Sequence, residues 1–193
     1  MLAPRKLILA SGSPRRQQLL REAGIEFEAY APDISEEQHL GEPANDYALR
    51  LAQEKAEKVA KQFPQHVVLA ADTIVVVDGQ SLGKPNDERD AERMLRLLSG
   101  RSHQVTTAVS VVLPGKPART SSCTTDVHFR DVTVREIQEY IATGEPMDKA
   151  GAYAIQGGAA PWVVRVEGEY SNVVGLPLSL VTEMLHTCGF LQS

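Results

Sequence analysis

The sequence contains few of the residues that build disulfide or metal frameworks. Its two cysteines, Cys123 and Cys188, lie far apart and form no CxxC pair, and its five histidines show no ligand spacing. Closely spaced cysteines and histidines are the usual signature of a zinc site, and isolated cysteines are typical of a reducing compartment. The sequence therefore gives no sign of a zinc domain and favours a cytosolic location.

Long apolar runs and an excess of basic charge are missing as well. No apolar run approaches the roughly 20 residues that span a bilayer, and no signal peptide precedes Leu7. A net charge of -5 leaves no broad basic surface for DNA or RNA. We therefore expect a soluble, cytoplasmic protein with neither a membrane nor a nucleic acid as partner.

Several common phosphate-binding and hydrolytic motifs are also absent. The chain has no GxxxxGK[ST] phosphate loop, no GxGxxG, no GxSxG nucleophile elbow and no HExxH. The segment Asp72-Thr73-Ile74 lacks the second aspartate expected of an aspartyl-phosphate phosphatase. A covalent aspartyl mechanism is therefore disfavoured.

The order of apolar patterns along the chain predicts an α/β fold. Strand-like and helix-like segments alternate without a repeat or a linker, which favours a mixed sheet in a single domain over residues 1–193. The predicted strands cover about residues 7–10, 25–30, 67–77, 105–113 and 120–129, with a hairpin of 163–167 and 170–174. The predicted helices cover about residues 13–24, 45–63, 87–98, 133–144 and 177–186. The small-residue segment 148–158 is predicted to be a loop pressed against a ligand.

The most informative stretch runs over residues 6–24. A short buried strand is followed by a turn and a helix, for which Ser13 is a good N-cap and Pro14 a good first residue. Arg15 and Arg16 then lie in the first helical turn, where the helix dipole is already positive. An anion would relieve this repulsion and accept bidentate hydrogen bonds. The alternative is two solvated arginines on a surface helix; we favour a phosphate site.

Two charged residues interrupt patterns that are otherwise apolar. Lys55 lies within the apolar stripe of the predicted helix 45–63, and Asp72 interrupts the apolar run 67–77. An inward lysine usually extends its ammonium to the rim, and a carboxylate in an apolar run is costly unless it is paired. A rim lysine and a structural aspartate are the ordinary explanations. The alternative, which we favour for Asp72, is a catalytic or metal-binding aspartate at a strand end.

A small set of cations and carboxylates remains as the candidate chemistry. These residues are Arg15, Arg16, Lys55, Lys84, Glu36 and Asp72. Such a set suits hydrolysis of a polyphosphate, because cations hold the negative oxygens, a divalent metal bridges carboxylate and phosphate, and a carboxylate activates water.

Six short segments together resemble the Maf family of nucleoside triphosphate pyrophosphatases. They are SGSPRR at 11–16, ADTIV at 71–75, GKP at 83–85, LSG at 98–100, DKAGAY at 148–153 and GLP at 175–177. The resemblance implies an elongated α/β fold like that of inosine triphosphate pyrophosphatases, with two lobes around a central cleft. It also implies a homodimer that uses Mg²⁺ or Mn²⁺ to cleave between the α- and β-phosphates, giving a nucleoside monophosphate and pyrophosphate.

The resemblance further implies roles for individual residues. Asp72 would be the base that activates water, and Glu36 would share the metal with it, although Asp33 and Glu37 are rivals in the same acidic loop. The implied phosphate contacts are Ser13, Arg16, Lys55 and Lys84. The positions that mark the dTTP/UTP-hydrolysing group are Arg15, Thr73 and Gln156.

Gln156 is the residue from which base recognition can be argued. Its amide has one acceptor and two donors, so it can pair with the N3–H and a carbonyl of uracil or thymine; the ordinary alternative is a loop glutamine. The run Gly158–Trp162 departs from the glycine-richer run expected of the family, so Trp162 is a candidate for reshaping the base pocket. Hydrolysis of 7-methyl-GTP and regulation of septum formation are the alternative functions.

Overall fold

Strands and helices alternate along residues 5–191, the part of the chain that the computed structural model describes. The strands are β1 (Leu7–Leu9), β2 (Glu28–Ala29), β3 (Val67–Val77), β4 (Gln80–Leu82), β5 (Ser102–Val112), β6 (Arg119–Phe129) and β7 (Val163–Glu167). The helices are α1 (Pro14–Glu22), α2 (Ala44–Gln62), α3 (Glu88–Leu98), α4 (Val134–Ile141), α5 (Tyr170–Val174) and α6 (Leu178–Thr187). Short 3₁₀ turns cover Glu145–Asp148, Ala150–Ala152 and Ala160–Trp162.

The strands form one mixed sheet, which confirms the predicted fold class. Within the described residues the order is β2-β1-β3-β5-β6-β7, and β4 pairs with β3 outside this path. β1 is parallel to both β2 and β3, whereas β4 is antiparallel to β3 and β7 antiparallel to β6. The turn between β3 and β4 consists of Asp78 and Gly79, whose φ angles of 51° and 76° are those of a type I′ hairpin.

The chain divides into two compact units. Of the described residues, the first unit contains 5–72, 107–123 and 175–191, and the second contains 73–106 and 124–174. Three of the four divisions fall within β3, β5 and β6, so each of these strands contributes residues to both units. A single domain, and two lobes around a cleft, stay predictions.

Helix α2 supplies much of the first unit's core. Its predicted apolar stripe is buried at Ala48, Leu51, Ala52, Ala56 and Val59, and Ala56 and Val59 pack with β1 and β3 residues such as Ile8 and Val68. Lys58 and Lys61 are exposed, as their positions outside the stripe predict. Lys55 is the exception among the charged residues of this helix, because only 7% of its surface is exposed.

The second unit is built on α3, α4 and a cluster of aromatic rings. The side chain of Asp87 caps α3, and Thr133 and Glu136 form a capping box at the start of α4. The buried face of α3 consists of Ala91, Met94, Leu95 and Leu98. Edge-to-face ring pairs join Phe129 to Tyr153 and Trp162, with centroids 4.8 and 6.1 Å apart. This geometry is the favoured one for aromatic side chains.

The predicted hairpin of 163–167 and 170–174 is wrong in its second half. Residues 163–167 are β7, but Tyr170–Val174 is helical. Asn172 explains the difference, since its buried side-chain amide donates to the carbonyl of Val105 at 2.9 Å and to the hydroxyl of Thr125 at 3.0 Å. A short apolar run does not distinguish a strand from a helix by itself, and here a tertiary contact decides.

Three smaller predictions also differ from the structure. Asn45 and Asp46 are residue types that predict the N-cap of α2, but this prediction is wrong, because the helix begins at Ala44 and Asn45 accepts a hydrogen bond from Ser122 at 2.9 Å. The strand predicted over 25–30 is reduced to Glu28–Ala29, and both of its residues are exposed. Segment 148–158, predicted as a loop, contains the 3₁₀ turn Ala150–Ala152 and the last residue of the turn Glu145–Asp148. Across residues 5–191, every helix is too short or too polar to span a bilayer.

Candidate active site

The N-terminus of α1 has the predicted residues in the predicted places. Ser13 is the N-cap residue in an extended conformation and Pro14 follows it as the first helical residue. The Ser13 hydroxyl makes no capping hydrogen bond, however, and its backbone N–H donates to the Ser11 hydroxyl at 3.2 Å. Arg15 is half-buried and makes no hydrogen bond or ion pair with the residues that the structure describes.

Arg16 connects three segments of the first unit. Its Nε donates to the carbonyl of Gly175 at 2.8 Å, and its Nη1 donates to the carbonyl of Ala71 at 2.8 Å and to the Ser11 hydroxyl at 3.3 Å. Burial lowers the pKa of this guanidinium, while the charges of Asp72 and Glu36 act in the opposite direction. Arg16 therefore lies within the electrostatic field of both candidate carboxylates.

Lys55 joins those two carboxylates directly. Its Nζ lies 2.5 Å from Asp72 Oδ1 and 2.7 Å from Glu36 Oε1. The side chains of Lys55 and Asp72 are only 8% and 11% exposed, whereas that of Glu36 is 43% exposed. The ordinary interpretation of Lys55, a rim lysine in solvent, is therefore wrong. A buried ammonium requires partners of opposite charge, and here it has two.

Asp72 lies within β3 and does not end a strand, so that part of the prediction is wrong. The strand changes partner on either side of it: Val67, Val68 and Leu69 pair with β1, whereas residues 75–77 pair with β4. The same strand thus continues past the point where β1 has ended. Asp72 lies between these two pairings, and its carboxylate contacts Lys55 of α2.

The two carboxylates fit a divalent metal that is shared with a substrate. Mg²⁺ is usually held by one or two carboxylates together with phosphate oxygens and water. Within residues 5–191, no group of three or more histidine, cysteine, aspartate or glutamate side chains could hold a metal ion by itself. Glu36 and Asp72, which converge on one ammonium group, supply two oxygen donors and leave the remaining positions to the substrate.

The structure also separates Glu36 from its two rivals in the acidic loop. Asp33 and Glu37 contact α2 through their backbone carbonyls, which accept hydrogen bonds from Lys58 and Arg50 respectively. Only the carboxylate of Glu36, among these three described residues, forms an ion pair with Lys55. Glu36 is therefore the residue of these three whose carboxylate reaches Lys55.

The remaining predicted residues belong to the second unit. Thr73 follows Asp72 on β3 and is half-buried, whereas Lys84 and Gln156 are exposed. The backbone beside Lys84 is fixed, because the carbonyl of Gly83 accepts a hydrogen bond from the N–H of Gly151 at 3.0 Å. The ion pairs described above bring together Glu36, Lys55 and Asp72, and Arg16 bonds to the carbonyl of Ala71, the residue before Asp72.

The backbone around Gln156 is fixed by its neighbours. Gly151 has a φ of 68°, and a Cβ there would lie 2.8 Å from a methyl carbon of Val75, so the glycine permits a close approach to β3. The N–H of Ala154 donates to the Tyr140 hydroxyl at 3.0 Å, and the N–H of Gly158 donates to Glu145 at 2.9 Å. Gln156 thus projects from a tightly held segment.

Trp162 is a core residue of this unit. It is 4% exposed and its ring lies 5.0 Å from that of Tyr140, edge to face. A buried ring of this size makes a large contribution to the core. The hypothesis that it reshapes a base pocket finds no contact to support it among the described residues.

Sequence reasoning missed two residues that hold the acidic loop. The Tyr47 hydroxyl donates to the carbonyl of Glu36 at 2.5 Å, and Arg50 donates to the carbonyl of Glu37 at 3.0 Å. Both residues lie on α2, three positions apart. This spacing places them on one face of the helix and is the signal that could have identified them.

Comparison with solved structures supports the fold. The chain resembles the Ham1 protein of Staphylococcus aureus with a TM-score of 0.55, at 15% identity over 95% of this chain and 99% of that one. It resembles a HAM1 protein from Coxiella burnetii with a TM-score of 0.51, at 16% identity over 95% of this chain and 100% of that one. At this identity the likeness concerns the fold alone.

Comparison with sequences is more specific. The family described as Maf-like protein matches residues 6–188. The chain is 50% identical to the dTTP/UTP pyrophosphatase of Geotalea uraniireducens over 100% of both chains. It is 49% identical to the dTTP/UTP pyrophosphatase of Koribacter versatilis over 96% of this chain and 95% of that one. Because the match extends over nearly the whole sequence, this chain belongs to the Maf family.

Proposed function

We propose that this chain hydrolyses dTTP and UTP to the nucleoside monophosphate and pyrophosphate. The observation that carries the proposal is the buried contact of Lys55 with both Asp72 and Glu36. Relatives named dTTP/UTP pyrophosphatase are 49% and 50% identical to this chain over almost its whole length. A fold alone would not indicate a substrate, but similarity of this extent supports one.

Asp72 is the residue proposed to activate water. Its Oδ1 is held by the Lys55 ammonium at 2.5 Å, which fixes the carboxylate and leaves Oδ2 to accept a proton from an attacking water. The new bond forms between that water oxygen and the α-phosphorus, and the bond from the α-phosphorus to the bridging oxygen breaks. The leaving pyrophosphate carries away the electron pair. The attacking water and the leaving pyrophosphate are thus assigned to opposite sides of the α-phosphorus.

Positive charge at the first unit is proposed to stabilise the phosphate oxygens. Arg16 and Lys55 are placed by contacts that already orient them, so little reorganisation is needed when charge develops. Ser13 and Arg15 lie at the N-terminus of α1, where backbone N–H groups favour an anion. When bound at Glu36 and Asp72, Mg²⁺ or Mn²⁺ would neutralise further phosphate charge.

Base selection is assigned by resemblance to Arg15, Thr73 and Gln156. The exposed amide of Gln156 supports this assignment, since a solvent-facing amide on a fixed backbone can present a donor and an acceptor in one orientation. Lys84 remains a predicted phosphate contact, and the homodimer implied by the resemblance remains a prediction.

A product assay tests the proposal. Purified protein with Mg²⁺ or Mn²⁺ is given dTTP, UTP, CTP, GTP and 7-methyl-GTP, and nucleotides and pyrophosphate are separated by chromatography. We expect the monophosphate and pyrophosphate in equal amounts, and the highest kcat/KM for dTTP and UTP. Orthophosphate with a nucleoside diphosphate would contradict the bond assignment. A preference for 7-methyl-GTP would instead assign the chain to the group of the family that hydrolyses 7-methyl-GTP.

A further inference from the structure

Glu36 lies in a segment that has no regular secondary structure of its own. β2 ends at Ala29 and α2 begins at Ala44, and residues 30–43 form neither helix nor strand. Ladder hydrogen bonds therefore do not fix the backbone that carries this carboxylate. Its position must depend on side chains that contact the segment. We use the name acidic loop for residues 33–42 of this segment.

Arg50 makes the strongest of these contacts. Its Nε and Nη2 donate to the two carboxylate oxygens of Glu42 at 2.7 and 2.8 Å, a bidentate pair. Both side chains are largely withdrawn from water, with 21% of Arg50 and 11% of Glu42 exposed. The hydrogen bond from Arg50 lowers the pKa of Glu42 to about 2. The Arg50–Glu42 pair therefore stays charged at neutral pH.

Glu42 in turn closes the acidic loop on itself. Its carboxylate also accepts from the N–H of His39 at 3.0 Å, and its own N–H donates to the His39 carbonyl at 3.0 Å. The side-chain amide of Gln38 donates to the Glu42 carbonyl at 2.8 Å. Residues 38–42 thus form a closed turn around the group that Arg50 holds.

Two further hydrogen bonds fix the peptide units next to Glu36. The Tyr47 hydroxyl donates to the Glu36 carbonyl at 2.5 Å, and Arg50 Nη2 donates to the Glu37 carbonyl at 3.0 Å. The Arg50 guanidinium also lies over the Tyr47 ring, 5.5 Å from its centroid. Two successive carbonyls are therefore bound by two side chains that support each other.

The same helix holds the other end of the Glu36 side chain. Lys55 lies on α2 after Arg50 and contacts the Glu36 carboxylate at 2.7 Å. Tyr47 and Arg50 fix the carbonyls of Glu36 and Glu37, and Lys55 receives the Glu36 carboxylate. Both attachment points thus belong to one rigid element, which is the arrangement that a precise ligand site requires.

We propose that Arg50 and Tyr47 are positioning residues that hold the acidic loop on α2, keep the Glu36 carboxylate beside Lys55 and Asp72, and thereby set the affinity of the site for a divalent metal. This inference rests on the proposed function, in which Glu36 serves a metal. Partners of this kind, which orient a ligand without touching the metal, typically change metal affinity by about 10- to 100-fold when they are removed.

The test compares three variants with a control variant that changes a different partner of Arg50. Arg50→Met removes the guanidinium but keeps a long apolar stem, Arg50→Lys keeps the charge without the bidentate geometry, and Tyr47→Phe removes one hydroxyl. Glu54→Gln is the control, because Glu54 pairs with Arg50 Nη1 at 3.2 Å but contacts no acidic-loop residue through that bond.

Two readouts follow each variant. Mn²⁺ affinity is measured by electron paramagnetic resonance in the presence of α,β-methylene-UTP, and backbone amide exchange of residues 33–42 is measured by mass spectrometry. We expect Arg50→Met to raise the Mn²⁺ dissociation constant by roughly tenfold or more and to accelerate exchange in the acidic loop. Arg50→Lys and Tyr47→Phe should fall between it and the wild type, and Glu54→Gln should match the wild type.

The outcomes separate this inference from the proposed function. Wild-type Mn²⁺ binding and UTP hydrolysis, with unchanged Mn²⁺ affinity in Arg50→Met, would overturn the positioning role alone. Equal loss of affinity in Arg50→Met and Glu54→Gln would also overturn it, because the effect would then follow the surface charge of α2. A wild-type protein that hydrolyses UTP without binding Mn²⁺ would instead overturn the metal role of Glu36 and the inference with it.

Discussion

The two units hold their candidate residues by different physical means. In the first unit, Lys55, Asp72 and Glu36 are fixed by charge: a buried ammonium is shared between two carboxylates. In the second unit, Gln156 is fixed by its backbone, which lies between the buried residues Ile155 and Ala159. Charge in a dry environment is costly unless it is paired, whereas an exposed amide costs little to keep. The comparison predicts that substitutions in the first unit affect chemistry and stability together, and that Gln156 affects selectivity by itself.

Substitution of the buried carboxylate should have the largest effect. Asp72→Asn keeps the size of the side chain but removes the proposed proton acceptor, so kcat for UTP should fall by roughly 100- to 10,000-fold. The protein should still fold, with a lower melting temperature, because Lys55 loses one charged partner and retains its contact with Glu36. The rate is measured by chromatography of pyrophosphate in samples quenched at successive times. Circular dichroism measures the melting temperature.

An aspartate at the end of the same strand provides the control. Asp78 pairs with Arg101 in an exposed position, and its φ of 51° is one that asparagine tolerates. Asp78→Asn should therefore retain wild-type turnover and lose less than about 1 kcal/mol of stability. Full activity in Asp72→Asn would show that the chemistry of the first unit has been assigned to the wrong carboxylate.

A buried histidine of the second unit, His103, should make the stability of the protein depend on pH. His103 is 2% exposed, and its Nε2 lies 2.8 Å from the Tyr153 hydroxyl. Burial is the main cause that lowers the pKa of its imidazole from 6.5 to about 4. As the pH falls from 6.5 to about 4, the unfolded chain takes up a proton that the folded chain refuses. The contribution of His103 to stability should therefore fall by roughly 3 kcal/mol over this window and level off below it.

Urea unfolding at several pH values checks this prediction against a variant that lacks the titrating ring. His103→Gln should be less stable at pH 7.5, because it loses the ring contact with Phe129 at 4.9 Å. Its stability should nevertheless lack the part of the pH dependence between 6.5 and 4 that the imidazole causes. Parallel curves for wild type and variant would mean that the pKa of His103 is the same in the folded and unfolded protein, contrary to its burial.

Much of the fold could be predicted because local patterns and tertiary packing agree. The α2 stripe and the helix predicted over 87–98 both follow from periodicity, and both are present. Residues 170–174 could not be predicted, because Asn172 is fixed by partners 67 and 47 residues away in the sequence. Contacts at such separation leave no periodic signal.

The candidate site was predictable where a residue contradicts its surroundings. Lys55 in an apolar stripe and Asp72 in an apolar strand are anomalies that sequence alone reveals, and the structure shows them in contact. Arg50 and Tyr47 contradict nothing, since polar residues on the outer face of a helix are ordinary. Their importance depends on the path of the acidic loop, which no pattern in the loop encodes.

The smallest effect on activity is expected from substitution of Gln156, because its side chain is exposed. Gln156→Ala should lower kcat/KM for UTP and dTTP by roughly tenfold relative to GTP, the value of one or two hydrogen bonds, while the melting temperature stays unchanged. Gln80→Ala, an exposed glutamine of the same unit, should change neither quantity. Equal losses for every nucleotide would make Gln156 a structural residue. In that case the contrast between a unit that performs chemistry and one that selects the base would no longer hold.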